Sequence, residues 1–351
     1  MVLKDSKKSV VFVMMSGGVD SSVAAYLLKK QGYKVIGYFI KGYNVDGCQE
    51  KESEDARRVV EYLDIPFYVV DLEKEYKKLV VDYTVRSYKE GITPNPDVMC
   101  NKEIKFGLFF KKAVELGADY VATGHYVRLA QREKIFSLFA AKDKNKDQSY
   151  FLWTLNQNQL KCCLFPIGDY KKSVIRKIAK KAGLPTAEKK DSQGICFLGK
   201  IQMEDFLKKF ISPKKGKIVN LEGEKIGEHQ GVYFYTIGQR HGLGIAGKHP
   251  FYVAEKDAVN NVIKVAEGRE DQSLFKKEAY LKMVNWISGQ VPREKLEVLA
   301  RVRYRQPIFE GIFYPGIGRL EFKNPQKFVA PGQSAVLYNR KGEMLGGGII
   351  N

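Results

Sequence analysis

Residues 9–15 (SVVFVMM) run without a polar interruption into Ser16-Gly17-Gly18-Val19-Asp20-Ser21-Ser22, and a helix-forming stretch over 21–31 follows and stops at Gly32. An unbroken apolar run of strand length fits a strand buried on both faces, the condition of a parallel sheet covered by helices. The chain continues in kind. Strand patterns at 33–40 (YKVIGYFI), 66–71 (PFYVVD) and 120–123 alternate with helical patterns at 50–63, 73–90 and 102–116, and a Pro-Asn-Pro loop separates the last two helices. Such alternation specifies an α/β fold with a parallel sheet. The segments 156–165 and 170–182 read as two further helices, with Cys162 and Cys163 packed in the first, and carry this domain to residue 210.

Beyond Pro213 the texture changes to short β-type runs such as KIVNL, GVYFY, FYVAEK and NVIKVAE, separated by Gly, Asn and Pro. From about residue 277 the pattern resumes in AYLKMVNW, EVLARVRYR, GIFYP, RLEFK and SAVLYN. Small barrels are the expected outcome. The expected division is 1–210 for the parallel-sheet domain, 211–275 for a central β-rich domain and 276–351 for a C-terminal β-barrel. A length of 351 residues suits two or three domains.

A hydrophobic content of 44%, with 12% aromatics, is enough for folded cores and excludes wholesale disorder. Lys and Arg number 59 against 40 Asp and Glu, a net charge of +19, which favours a polyanionic partner or serves only solubility. The five cysteines show no CxxC spacing and the four histidines are scattered, so no local zinc pair exists and no protein-held metal is expected. That pattern fits a reducing cytosol better than a secreted disulfide scaffold. No window of about 18 apolar residues is present to cross a membrane, and the N-terminal run reads as a buried strand rather than a signal peptide.

The loop from Ser16 to Ser22 sits where chemistry would place a phosphate. Two glycines permit positive φ and close backbone approach, successive N–H groups can face an anion, and the following helix dipole adds positive potential. Ser16, Ser21 and Ser22 supply hydroxyl donors, while Asp20 is suited to holding the loop or a Mg²⁺. No Walker lysine is present. Gly242-Leu-Gly244-Ile-Ala-Gly247 fits the dinucleotide pattern by spacing, but a strand pattern rather than a helix follows it, so it reads as a turn.

Two cysteines stand apart from the rest. Cys100 follows Pro94-Asn95-Pro96-Asp97 and precedes the helical KEIKFGLFF, so it is expected near a helix N-terminus, where the dipole favours thiolate; Asp97 lies within reach as a proton carrier. Cys196 lies between Gly194 and Gly199 in a loop suited to tight turning. Arg301, Arg303 and Arg305 alternate along a strand pattern, which would place all three on one face with Tyr304 on the other.

The segments SGGVDSS, TPNPDVMCNKEIKFG, ATGHYVR, KDQSYFL, SQGICFLG and YTIGQRHGLGIAG occur in this order. The first resembles the signature of the PP-loop ATP pyrophosphatases, which cleave ATP between the α and β phosphates and adenylate a substrate. Together they resemble the bacterial tRNA-specific 2-thiouridylases, and RVRYRQ and APGQSAV extend the likeness to residue 338. Family sequences often carry Gly where Met15 stands. The resemblance implies that ATP, with Mg²⁺, binds Ser16, Gly17, Gly18, Val19, Asp20, Ser21, Ser22, Ile40 and Gly124, and activates O2 of a wobble uridine. It implies that Cys196 carries a persulfide received from a donor protein, that Cys100 resolves it as nucleophile and that Asp97 is the acid–base group. Asn95, Pro96 and Asp97 would meet the target base, and His125, Lys146, Asp147, Gln148, Arg303, Tyr304 and Gln333 the rest of the tRNA. The resemblance assigns the three parts accordingly: ATP binding and catalysis to the first, tRNA binding to the last. Two other readings stay open on the residues: a PP-loop ligase or amidotransferase with another substrate, and a noncatalytic RNA-binding protein.

Overall fold

The computed structural model describes residues 8–45, 47–191, 194–195, 197–199 and 201–351. Its first sheet is built from β1 (Val10–Met14), β2 (Lys34–Lys41), β3 (Phe67–Asp71) and β4 (Tyr120–Ala122). A fifth strand, β7 (Cys163–Leu164), completes it in the order β3-β2-β1-β4-β7. Every pairing is parallel. Val11 and Val13 are fully buried and Phe12 nearly so, as a strand covered on both faces requires. Helix α1 (Val19–Lys30) follows β1, and α2 (Cys48–Tyr62) joins β2 to β3.

The next helical stretch is not uniformly α. Helix α3 (Glu73–Tyr76) passes through a π-helical turn at Lys77–Val81 into α4 (Asp82–Lys89). Helix α5 (Pro96–Met99) likewise runs on through a π-helical stretch at Cys100–Phe109 into α6 (Phe110–Glu115). Such widening is rare and collects at functional sites.

One expected helix is mostly something else. Only Gln157–Leu160 (α7) is helical within 156–165, held by a capping box between Asn156 and Gln159, and the chain then enters β7. Its apolar run CLF is short enough to fit either class, and pairing with β4 decides for strand. Helix α8 (Lys172–Lys181) packs on α1, and α9 (Met203–Lys208) leads out of the domain.

Strands β8 (Gly216–Val219), β9 (Lys225–His229), β10 (Phe251–Asp257) and β11 (Val262–Glu267) form a second sheet in the order β10-β11-β8-β9. Gly242 and Gly244 take positive φ in the turn region before β10, so no dinucleotide fold is built there. Ile218, Val253 and Ile263 share one buried cluster with Val80, Cys100 and Ile104, so the first and second sheets' cores are continuous.

The last sheet comprises β12 (Phe275–Trp286), β13 (Leu296–Arg301), β14 (Phe309–Tyr314), β15 (Arg319–Lys327), β16 (Ser334–Tyr338) and β17 (Glu343–Ile350). Its order β12-β15-β14-β13-β16-β17 closes through β12–β17 pairing into a six-stranded barrel. A hairpin from far earlier in the chain, β5 (Val127–Arg132) and β6 (Ile135–Ala140), extends this sheet: Met344 of β17 pairs with Leu138 of β6. Among the described residues no helix is long and apolar enough to cross a membrane.

Candidate active site

The order β3-β2-β1-β4-β7 reverses direction between β1 and β4, and the crevice beyond the carboxyl ends of strands at such a switch point is where open α/β sheets bind ligands. The chain leaving β1 there is Ser16–Ser22, and the chain leaving β4 is Thr123-Gly124-His125.

Gly17 has φ +67°, and a Cβ on it would stand 2.2 Å from the carbonyl oxygen of Glu52, so only glycine fits. Gly18 caps α1 in extended conformation without a side-chain bond to the first turn. The hydroxyls of Ser21 and Ser22 both donate to the Gly18 carbonyl, at 3.1 and 2.8 Å, and Ser16 N–H donates to Ser21 Oγ. Gly124 touches the loop directly, since a Cβ there would lie 2.6 Å from Ser21 N. Val19 is buried under the loop, and Ile40, half-buried, lies near the carboxyl end of neighbouring β2.

Asp20 accepts from Tyr126 Oη at 2.8 Å and from Lys172 Nζ at 2.8 Å on both carboxylate oxygens. Burial, then the charge of Asp20, holds the Tyr126 phenol protonated far above its ordinary range. Among the described residues no group of three or more His, Cys, Asp or Glu could hold a metal ion. With Asp20 engaged in this way, these residues do not fit a protein-held Mg²⁺.

A strap over the loop was not foreseen from sequence. Thr186 Oγ1 donates to Ser22 Oγ at 2.9 Å, and Lys189 Nζ donates to the Gly17 carbonyl at 3.0 Å while pairing with Asp55. Asp191 takes Lys146, Lys172 and Arg176 at 2.7, 2.9 and 2.6 Å. Burial alone would raise its carboxyl; bonds and charge from Lys146 and Lys172 overcome this and hold it at about 2. Lys146 is thus linked through Asp191 and Lys172 to Asp20 of the Ser16–Ser22 loop. A lysine among the many of α8 carries no sequence signal, so Lys172 was not legible.

Asn95 caps α5 through Oδ1 to Val98 N–H at 3.2 Å, with Pro96 in the first turn. The helix therefore begins at Pro96, and Cys100 lies a full turn inside it rather than at its N-terminus. The Asn-Pro pair, a cap followed by a residue that needs no donor, was the available signal. Asp97 occupies the first turn instead, half-buried. Cys100 is 3% exposed, in the same apolar cluster as Met14 at the end of β1 and as Phe197 and Leu198. Cys196 itself lies outside the described residues. Asn101 Nδ2 donates to the Asp97 carbonyl, while its buried Oδ1 has no partner.

The residues expected to meet tRNA divide into two groups. His125 is buried with Nδ1 2.8 Å from Thr123 Oγ1, and burial, aided by Lys105, keeps it neutral with a pKa well below the usual value. Asp147 is buried too, accepting from Ala141 N–H, Ser149 N–H, Ser149 Oγ and Arg301. Gln148 binds the backbone of Tyr126. The arginine stripe is not formed: β13 ends at Arg301, which is buried against Asp147, and the chain turns, with Arg305 at φ +64°. Arg305 instead stacks on Tyr304, whose ring lies 4.3 Å from that of Phe151. Arg303 is half-buried near the phenols of Tyr88 and Tyr150. Tyr150 Oη donates to the Ser334 carbonyl at 2.8 Å, and burial pushes Tyr88 up to about 12. Gln333 reaches the same place, with Nε2 3.0 and 3.1 Å from the carbonyls of Thr93 and Pro94.

A parallel sheet whose switch point carries a lysine-free glycine–serine phosphate loop defines a nucleotide-binding α/β domain of the PP-loop type. Family models match in order along the chain: tRNA methyl transferase HUP domain at 9–200, tRNA methyl transferase PRC-barrel domain at 204–267 and aminomethyltransferase beta-barrel domain at 276–350. The tRNA-specific 2-thiouridylase MnmA of Geobacillus thermodenitrificans (strain NG80-2) is 47% identical over 350 residues, covering 97% of this chain and 94% of its own. That of Alkaliphilus oremlandii (strain OhILAs) is 45% identical over 347 residues, covering 96% and 95%. A solved 4-thiouridine synthetase–RNA complex with bound ATP is 17% identical, with TM-score 0.36, over 57% of this chain and 50% of that one. The chain belongs to the tRNA-specific 2-thiouridylase family.

Proposed function

We propose that this chain is a cytoplasmic ATP-dependent sulfurtransferase that converts the C2 oxygen of a tRNA uridine to sulfur. The observation that carries the reading is that Cys100 shares a buried cluster with Met14, at the end of the strand that leads into the Ser16–Ser22 loop. The family-model descriptions speak of methyl transfer and the relatives' names of thiolation. Methyl transfer displaces an already activated methyl group and needs no oxygen activation by ATP. The loop favours thiolation.

In this reading the loop binds the phosphates of ATP, and O2 of the uridine attacks the α-phosphorus, releasing pyrophosphate. The terminal sulfur of a Cys196 persulfide, supplied by a donor protein, then attacks C2. Cys100 attacks the Cys196 sulfur, the S–S bond breaks toward the substrate, AMP leaves and 2-thiouridine remains with a Cys100–Cys196 disulfide. Electrons balance: one sulfane sulfur is reduced while two thiols become a disulfide, which a thiol reductant reopens. Asp97, in the first turn before Cys100, is the proton carrier. Burial of Cys100 requires its surroundings to shift as the flipped uridine enters. Residues 1–210 perform this chemistry, 211–275 bridge and 276–351 engage tRNA, chiefly through Arg303 and Tyr304.

The test is mass analysis of tRNA nucleosides after incubation with ATP, unmodified tRNA and a persulfide donor, with pyrophosphate measured in parallel. We expect 2-thiouridine from the wild type and none from Cys100→Ser, with ATP binding retained. A methylated nucleoside, or full thiolation by Cys100→Ser, would sink the proposal.

A further inference from the structure

The loop 93–96 contains two prolines, so it has few donors with which to fix itself. It is held instead from the barrel. Thr93 N–H donates to the Pro331 carbonyl at 3.1 Å, and Gln333 Nε2 donates to both the Thr93 and Pro94 carbonyls. Between these contacts Gly332, at φ +88°, lies so close that a Cβ would stand 2.3 Å from Ile92 Cγ2 and 2.8 Å from Thr93 O. Gln333 is itself fixed at the base: its carbonyl accepts from Ile350 N–H at 2.8 Å, and Gly332 N–H donates to the Ile350 carbonyl at 2.8 Å.

An amide nitrogen has two protons, and here each has a backbone carbonyl. No side-chain donor of Gln333 is left for a phosphate. From this geometry we infer that Gln333 is a positioning residue, which holds the segment carrying Asn95 and Asp97 against the barrel rather than chiefly gripping tRNA. This rests on the proposed function above for its kinetic readout.

The two roles separate cleanly in the full-length chain. Gln333→Met keeps the volume and removes both donors. Its tRNA-dependent pyrophosphate release at saturating tRNA should fall about tenfold or more, the scale of a misplaced reacting group. Its dissociation constant for tRNA should stay within about twofold of the wild type, since no phosphate contact is lost. A weaker tRNA affinity with the saturated rate unchanged would overturn the inference, as would no change in either. Gln333→Asn retains an amide but falls one methylene short, and it should behave as Gln333→Met does; it also serves if the Met variant fails to fold. Amide exchange gives a readout independent of activity: Thr93 and Val98 N–H should exchange faster in the variant. A wild type that releases no pyrophosphate with tRNA sinks the proposed function alone, and the exchange result still decides the role of Gln333.

Discussion

At the scale of single residues, the site is governed by close approach. Gly124 stands against the first turn of α1, with room for no Cβ: 2.6 Å to Ser21 N and 2.8 Å to Asp20 C. Gly124→Ala must therefore push the end of β4 away from the phosphate loop, because both obstacles are backbone. We expect ATP affinity, measured by calorimetry, to fall about tenfold or more, with an overpacking cost near 1–3 kcal/mol. Unchanged ATP affinity would place the nucleotide elsewhere. The glycine–serine loop was legible because strand, glycines and helix follow one another locally. Lys172 and Lys189 were not, because they reach the loop from more than a hundred positions away, and Asp191 joins it only through Lys172.

At the scale of elements, the sequence was legible wherever a short apolar run, bounded by turn residues, alternates with a longer helical stretch. The five-stranded sheet's first four strands and α1 are of this kind. Two features were hidden by contrary local signals. Residues 162–165 are too short and apolar to distinguish strand from helix, and only β4 makes them a strand. The residues of hairpin β5–β6 are mostly half-buried, and nothing local says that its partner is β17. Its seal is Leu138, fully buried in a cluster with Tyr150, Trp153, Tyr338 and Met344. Leu138→Ala should cost about 2–5 kcal/mol, the range for a cavity at a buried Leu. Urea denaturation measures it, and a loss below about 0.5 kcal/mol, as at an ordinary surface site, would mean the hairpin is only draped on the barrel.

At the scale of the whole molecule, the issue is what fixes the barrel on the parallel-sheet domain. The central connection is Asp147–Arg301, 3.1 Å apart with side chains 1% and 11% exposed. Arg301→Met strands a buried carboxylate, a change that commonly costs about 3–5 kcal/mol. Asp147 retains two backbone N–H donors and the Ser149 hydroxyl, so the loss should fall at the low end. Asp147→Asn should be worse. Its Oδ1 can still serve the two N–H groups, but its NH₂ then faces Ser149 Oγ and the Arg301 guanidinium, leaving the cation buried and opposed. Combining the two changes removes that opposition, so the double variant should be more stable than the summed losses require. Thermal or urea unfolding of all four proteins gives the coupling. A value under about 0.5 kcal/mol, as for independent sites, would mean that the barrel is held by its apolar contacts and the pair is incidental to docking.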